Sequence, residues 1–406
     1  MIDHGDTAWL LVATALVMVM LPGLALFYGG LVRRKNALST MGYSFFGLAI
    51  VSVVWVLWGY SLAFAPDATG RGLLGGLDFL GFAGVTGDVD PRYATAVPHV
   101  LFATFQLMFA AITPALITGA FAERKRFGAF VLFTILWSTF VYSPLAHWVW
   151  APDGWLRSLG AIDFAGGTVV HVSSGVSALV AAVLIGPRVV SSDSTAPHDP
   201  RLTLLGAGLL WFGWFGFNGG SALGANGQAA NALLVTNTAA GAATLSWVLA
   251  SWIHRRKWSV IGAACGAVAG LVAITPGSGY VTAGGAVVLG LSVGAVCYAA
   301  TLLRERVRID DALDVFAVHG VGGTFGALAT GVLAVNAVGG VSGAIEGNLG
   351  QVGVQALAVA ATYVYSAGVT FIIVKVVGLV LGLRVPRAEE EVGLDLAVHG
   401  EVAFGG

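Results

Sequence analysis

The sequence predicts an all-α polytopic membrane protein with eleven transmembrane helices, and three observations carry that prediction. Apolar residues make up 57% of the 406-residue chain and charged residues only 10%, against roughly 25% charged in a soluble domain. The apolar residues fall into long runs, and Lys and Arg gather in every second connection between those runs. One soluble core cannot absorb that much apolar surface, so the bilayer must act as the solvent.

A spanning helix needs about 20 mostly apolar residues. Eleven runs meet that need, at 8–31, 41–64, 98–121, 127–149, 166–186, 202–220, 229–252, 259–275, 282–303, 312–335 and 351–383. The last is over-long for a straight crossing and is expected to tilt or to continue beyond the bilayer. Glycine, 58 residues, is about twice its usual share of roughly 7%; in lipid such an excess points to helices packed backbone to backbone. Cys265 and Cys297 sit inside apolar runs without paired spacing and read as small buried core residues.

Orientation follows from the retained positive charge, which marks the cytoplasmic side. Alternate connections carry Arg33, Arg34 and Lys35; Arg124, Lys125 and Arg126; Arg188 and Arg201; Arg255, Arg256 and Lys257; Arg304, Arg306 and Arg308; and Arg384 and Arg387. The other side holds Arg71, Arg92 and Arg157, and Lys375 lies within the last run, where it can snorkel or bond to the carbonyls of a broken helix. This bias places the N-terminus outside and the C-terminus inside. The start, Met1 to Asp6, has no basic stretch and no cleavage site close behind the first run, so that run is expected to be retained. The chain divides into a transmembrane domain at 1–383 and a cytoplasmic tail at 384–406.

A faint internal repeat joins the two halves, 8–186 and 202–335. Phe27-Tyr28-Gly29-Gly30 closes the first run and Phe217-Asn218-Gly219-Gly220 the sixth, while His171 in the fifth is echoed by His319 in the tenth. Five spans per half is an odd number, so the repeat is inverted, and such repeats set a substrate site near the midplane between halves. His171 lies about 10 Å into the fifth run from outside and His319 about 12 Å in beyond Asp311 from the cytoplasmic side, at 1.5 Å per residue. Two neutral imidazoles meeting there would offer a donor and an acceptor to a small molecule; the alternative is two separately satisfied packing histidines. No third thiolate or carboxylate at that depth favours a metal pair.

Other candidates have equally plain alternatives. Phe105 and Phe109 share a face at i, i+4, and Trp214, Phe217 and Ser221 share one at i, i+3 and i+7. Such stripes suit lipid contact or core, and become cation-attracting only where π faces meet at a mouth. His147, at the outer end of the fourth run, precedes Trp148 and Trp150, for which an interfacial aromatic belt is one reading. Asp163 precedes the fifth run and can cap it or bind a cation directly. Asp310, Asp311 and Asp314 suit the start of the tenth helix and a polar rim.

Taken together these segments resemble the ammonium transporters of the Amt/Mep/Rh superfamily, and the bacterial Amt branch more than the Rh branch. Asp163-Phe164-Ala165-Gly166-Gly167-Thr168-Val169-Val170-His171 is similar to the family's fifth-helix signature, and Asp314 through Gly323, with His319, to its tenth. Phe105 to Ala110, Trp214 to Asn218, Gly393-Leu394-Asp395 and His399-Gly400-Glu401 match as well. The resemblance implies a 5+5 pseudo-twofold repeat with a tilted eleventh helix, one pore per subunit of a homotrimer, and no cofactor or metal. It implies that Phe109, Trp150 and Ser221 recruit ammonium, with methylammonium as a further substrate, at the outer mouth of a cytoplasmic-membrane channel. Phe109 and Phe217 would form a stacked gate, and His171 and His319 would line the pore. It also implies capture of a cytoplasmic PII-type signalling protein. Net charge is −1, so nothing suggests nucleic acid, and no nucleophile or cofactor motif suggests an enzyme. An ammonium sensor using the same pore is the alternative, although the tail after Arg384 is short for a signalling domain.

Overall fold

The computed structural model describes residues 1–189 and 196–403; the last three residues assigned to the tail, 404–406, lie outside them. Among the described residues ten helices are long and apolar enough to cross a bilayer: α1 His4–Leu31, α2 Arg34–Phe64, α3 His99–Phe121, α4 Phe127–Ser158 (with a turn at 151–154), α5 Gly167–Ile185, α7 Gly227–Arg255, α8 Val260–Gly277, α9 Ala283–Val307, α10 Phe316–Leu333 and α11 Leu349–Leu381. The remaining predicted span, the sixth, is α6, Pro200–Gly220, of 21 residues. Its glycines, tryptophans and Asn218 dilute its apolar character; one face, from Gly206 to Gly220, is buried against other helices while Leu204, Leu205 and Phe212 are exposed on the other.

Most boundaries fall close to the runs, and the exceptions have local causes. Asp3 accepts from the Asp6 N–H at 2.9 Å and starts α1 before the apolar run begins. The tenth helix begins at Phe316 rather than at 312, because Asp314 takes a left-handed φ of 57° that interrupts any earlier turn. The 33 residues of α11 would extend about 50 Å, against a hydrocarbon core of about 30 Å. Gly382, at φ 71°, then ends the helix.

Glycine lets repeat-related helices meet. A Cβ at Gly206 would strike the Phe27 backbone, and one at Gly216 would strike Leu16 and Ala13. Rising numbers on α6 thus meet falling numbers on α1, so the first helices of the two halves pack antiparallel. The fifth helices do the same: a Cβ at Gly175 would run into Gly320, and one at Gly323 into the His171 side chain. Antiparallel pairing of equivalent helices is what an inverted repeat requires.

The ends of α1 and α11 define two faces, an N face where the chain starts and a C face where it ends. The basic connections knit the C face together. Arg33 pairs with Glu123 at 3.0 Å, Arg188 with the same Glu123 at 3.1 Å, and Arg188 with Asp310 at 2.8 Å. Lys125 is buried with its ammonium 3.8 Å from the Phe121 ring centroid and 4.0 Å from that of Phe133. Short helices α12 Arg387–Val392 and α13 Leu394–His399 lie against this face. Within the Glu389–Glu391 run Glu390 is fully buried, accepting from the Val189 N–H at 2.7 Å and pairing with Arg384. Asp395 accepts from Leu38 and Ser39 N–H at the start of α2, and Leu394 N–H donates to Asn36.

Candidate functional site

Three spaces lie in line between the faces. An N-face vestibule of about 520 Å³ is lined by Phe109, Trp150, Asp163 and Ser221, among others. A C-face vestibule of about 740 Å³ reaches inward to His319. Between them is a narrow lumen of about 10 Å³, lined by Phe27, Tyr28, His171, Trp214, Phe217 and His319. That volume is about one water's worth.

The N-face end is built by α3, α4 and the end of α6. The ring of Phe109 meets Trp150 edge-on, centroids 5.8 Å apart at 88°. The Trp150 indole is held from below, donating to the Asp163 carbonyl at 2.9 Å, while Arg157 donates to the Trp150 carbonyl. Ser221 donates its hydroxyl hydrogen to the Phe217 carbonyl at 2.8 Å, which leaves its oxygen an acceptor toward the vestibule. Phe109 and Phe217 stack with centroids 4.2 Å apart at 27°. Phe109 lines the vestibule and Phe217 the lumen, so this stack divides the two spaces.

In the lumen the two histidines meet. His171 Nδ1 lies 3.3 Å from His319 Nδ1, the ring centroids are 5.3 Å apart, and both residues are buried. Each sits in a wide π-helical turn, Gly167–Val172 in α5 and Phe316–Val321 in α10, which re-aims side chains that a regular helix would spread. Asp163 fixes the first of these turns. Its carboxylate accepts from Gly166, Gly167 and Thr168 N–H and from the Thr168 hydroxyl. Asp163 therefore caps, as one sequence reading proposed, and its carbonyl steers Trp150. Trp214 lies against His171, centroids 5.4 Å apart, and donates to the Thr275 hydroxyl.

The other candidate residues take specific places. Asp314 does not cap the tenth helix; Asp311 does, accepting from Phe316 N–H at 2.7 Å, while Asp314 pairs with Arg304 at the C-face vestibule. Phe105 is buried beneath Phe109 and against Gly220, so it supports the aromatic wall without lining it. Trp148 is buried within the protein: the connection after α2 folds over it, its indole donates to the Leu73 carbonyl, and it packs on Trp155 and Tyr365. Cys297 is buried as expected, but Cys265 is partly exposed and faces the C-face vestibule, where the helices splay. Lys375 is exposed, with its ammonium 5.4 Å from the Phe371 ring centroid. Sequence reasoning gave no role to Phe27 and Tyr28, which close the lumen toward the C face. The signal was present, because Phe27 is the repeat counterpart of Phe217. At the C-face vestibule, burial alone would raise the Asp310 carboxyl, but the Arg188 hydrogen bonds and charge hold it below its ordinary value.

Among the described residues, ten helices apolar enough to span a bilayer and the 21-residue α6, around a narrow path with a vestibule at each end, define a multi-pass membrane transport protein. A family model described as the Ammonium Transporter Family matches residues 8–404, and the chain belongs to that family. It is 51% identical to the ammonium transporter of Bacillus subtilis (strain 168), over 98% of each chain. It is 48% identical to ammonium transporter Amt1 of Archaeoglobus fulgidus, over 99% of this chain and 100% of that one. Among solved structures, Mep2 of Saccharomyces cerevisiae matches with a TM-score of 0.90 at 39% identity, over 96% of this chain and 89% of that one. A structure described as a sensor Amt protein matches with a TM-score of 0.89 at 32% identity, over 97% and 98%.

Proposed function

We propose that this protein is an ammonium transporter, not an enzyme, in which ammonium enters from an external N face and its nitrogen leaves at a cytoplasmic C face. The observation that carries the reading is the stack of Phe109 on Phe217 above a lumen of about 10 Å³. A hydrated ion has no room there, and carrying a charge through an apolar span costs about 3 kcal/mol or more. Ammonium escapes that cost by leaving its proton at the mouth, a route closed to potassium and sodium. Above the stack, the faces of Phe109 and Trp150 offer cation–π attraction and the Ser221 oxygen an acceptor. Asp163 acts by orienting Trp150 and the His171 turn. Below the stack, neutral ammonia meets His171 and His319, whose paired Nδ1 atoms leave one Nε2 a donor and the other an acceptor. Trp214, Phe27 and Tyr28 keep the rest of the path apolar and narrow.

The positive C-face connections support a cytoplasmic C-terminus in a bacterial-type cytoplasmic membrane. A homotrimer with a pore in each subunit, methylammonium as a further substrate, and a PII-type partner on the C face complete the reading. A second reading, an ammonium sensor using the same pore, is favoured by the likeness to the sensor Amt structure. Current recorded from proteoliposomes on a solid support tests the proposal. An ammonium jump should give a current if the proton crosses by a separate relay, and pH change without current if ammonia alone crosses. Potassium should give neither. Equal responses to ammonium and potassium would overturn it, and binding without flux would favour the sensor.

A further inference from the structure

The segment carrying Asp163 is held from outside its own half of the protein. Gln355, on α11, is 1% exposed. Its Oε1 accepts from the Ile162 N–H at 2.9 Å, and its Nε2 donates to the Ile162 carbonyl at 2.7 Å and to the Ala327 carbonyl on α10 at 3.2 Å. One side chain thus clamps both backbone groups of Ile162 and ties them to the helix that bears His319. One turn earlier, Gln351 donates to the Gly160 carbonyl at 3.0 Å. The amide orientation is dictated by its partners, because reversal would set its NH₂ against the Ile162 N–H and its oxygen against two carbonyls. The approach of α10 to α11 needs Gly331, where a Cβ would stand 3.0 Å from Gln355 Cγ.

Ile162 immediately precedes Asp163, whose carbonyl holds the Trp150 indole and whose carboxylate caps the turn of His171. The Phe164 N–H, on the other side, donates to the Pro276 carbonyl at 3.1 Å at the end of α8. We infer that Gln355 is a positioning residue: it fixes Ile162–Asp163 against α10, and so sets Trp150 in the N-face vestibule and holds the His171 and His319 helices in register. A primary amide suits this place because it both accepts and donates. Leucine leaves the buried N–H and carbonyl of Ile162 without their partner and removes the extra bond to the Ala327 carbonyl, while glutamate keeps an acceptor for the Ile162 N–H and loses both donated bonds. The inference rests on the recruitment role proposed above for Trp150.

The test compares Gln355→Leu, Gln355→Glu and Trp150→Leu with wild type in proteoliposomes, each scored for assembled protein before ammonium uptake is measured. Assembled Gln355→Leu should raise the half-saturating ammonium concentration about fivefold, equivalent to about 1 kcal/mol, with maximal flux per assembled pore largely kept. Gln355→Glu should shift it less. A purely structural role would lower the amount of assembled protein and leave half-saturation alone. Should the leucine variant fail to assemble, the glutamate variant carries the same comparison. If Trp150→Leu shifts half-saturation and the assembled Gln355 variants do not, the clamp has no positioning role and the recruitment reading stands. If none of them shifts it, the recruitment reading fails and the inference falls with it.

Discussion

The Nδ1 atoms of His171 and His319 face each other at 3.3 Å across the lumen, one from each half of the repeat. A hydrogen bond at that contact needs one nitrogen to donate and the other to accept, so the two rings hold opposite tautomers. Two imidazolium ions would turn the contact into a clash of like charges and donors.

Replacing one member with an acid tests what the pair excludes. His171→Asp sets a carboxylate beside His319 and invites a bound cation, so potassium current is expected in vesicles containing assembled protein. His171→Ala is expected to leave an apolar gap that slows ammonium transport and still keeps potassium out. Potassium exclusion by the Asp variant at the wild-type level would remove the pair as the selectivity element.

The aromatic mouth should set affinity more than conduction. Trp150→Leu removes one π face from the vestibule and is expected to weaken ammonium binding by about 1 kcal/mol. Uptake measured across an ammonium series reports this as a rise in half-saturation. An unchanged value would mean that Trp150 only packs.

The crossing of α5 on α10 tolerates no side chain. A Cβ at Gly175 would meet the Gly320 backbone, so Gly175→Leu should force the histidine helices apart. The expected outcome is loss of folded protein on size-exclusion chromatography after detergent extraction, by the several kcal/mol typical of severe overpacking, about 3. Gly208→Leu, at an open position with nothing near its Cβ, is the control and should extract normally.

Arg188 links Glu123 to Asp310 on the C face at 3.1 and 2.8 Å. Arg188→Met leaves two partly or wholly buried carboxylates without this cation and should cost about 3 kcal/mol near neutral pH. The Asp310 carboxyl is depressed in the folded protein. Its stabilising contribution is therefore complete above the unfolded value of about 3.9 and is lost as pH falls through the folded value. Melting curves should show the gap between wild type and variant narrowing as pH drops below about 4; a pH-independent gap would point to packing alone.

The tail is docked yet separate from the lumen. Removing 384–406 should leave assembled, conducting protein that no longer captures a PII-type partner in a pull-down. Because Glu390 and Asp395 are buried in contacts with Val189 and the start of α2, a small loss of melting temperature should accompany the deletion. Full-strength capture by the shortened protein would count against the tail as the docking element.

The sequence by itself determined the class of fold, the number of spans, the bias of positive charge and the inverted repeat, because each is written in local composition and period. Apolar length and loop charge answer to the bilayer, which acts on each segment separately. It also singled out His171, His319, Phe109, Trp150, Phe217 and Ser221, through their spacing and their likeness to a known family. Only the tertiary structure decided which of these meet. Asp163 and Asp314 look alike in sequence, each an acid before a histidine helix, yet one caps its helix and the other pairs with Arg304. Gln355 has no local signature at all, since its partners Ile162 and Ala327 are 193 and 28 residues away. Hydrogen-bond geometry across a packed interface depends on where glycine lets helices approach, and no single segment contains that information.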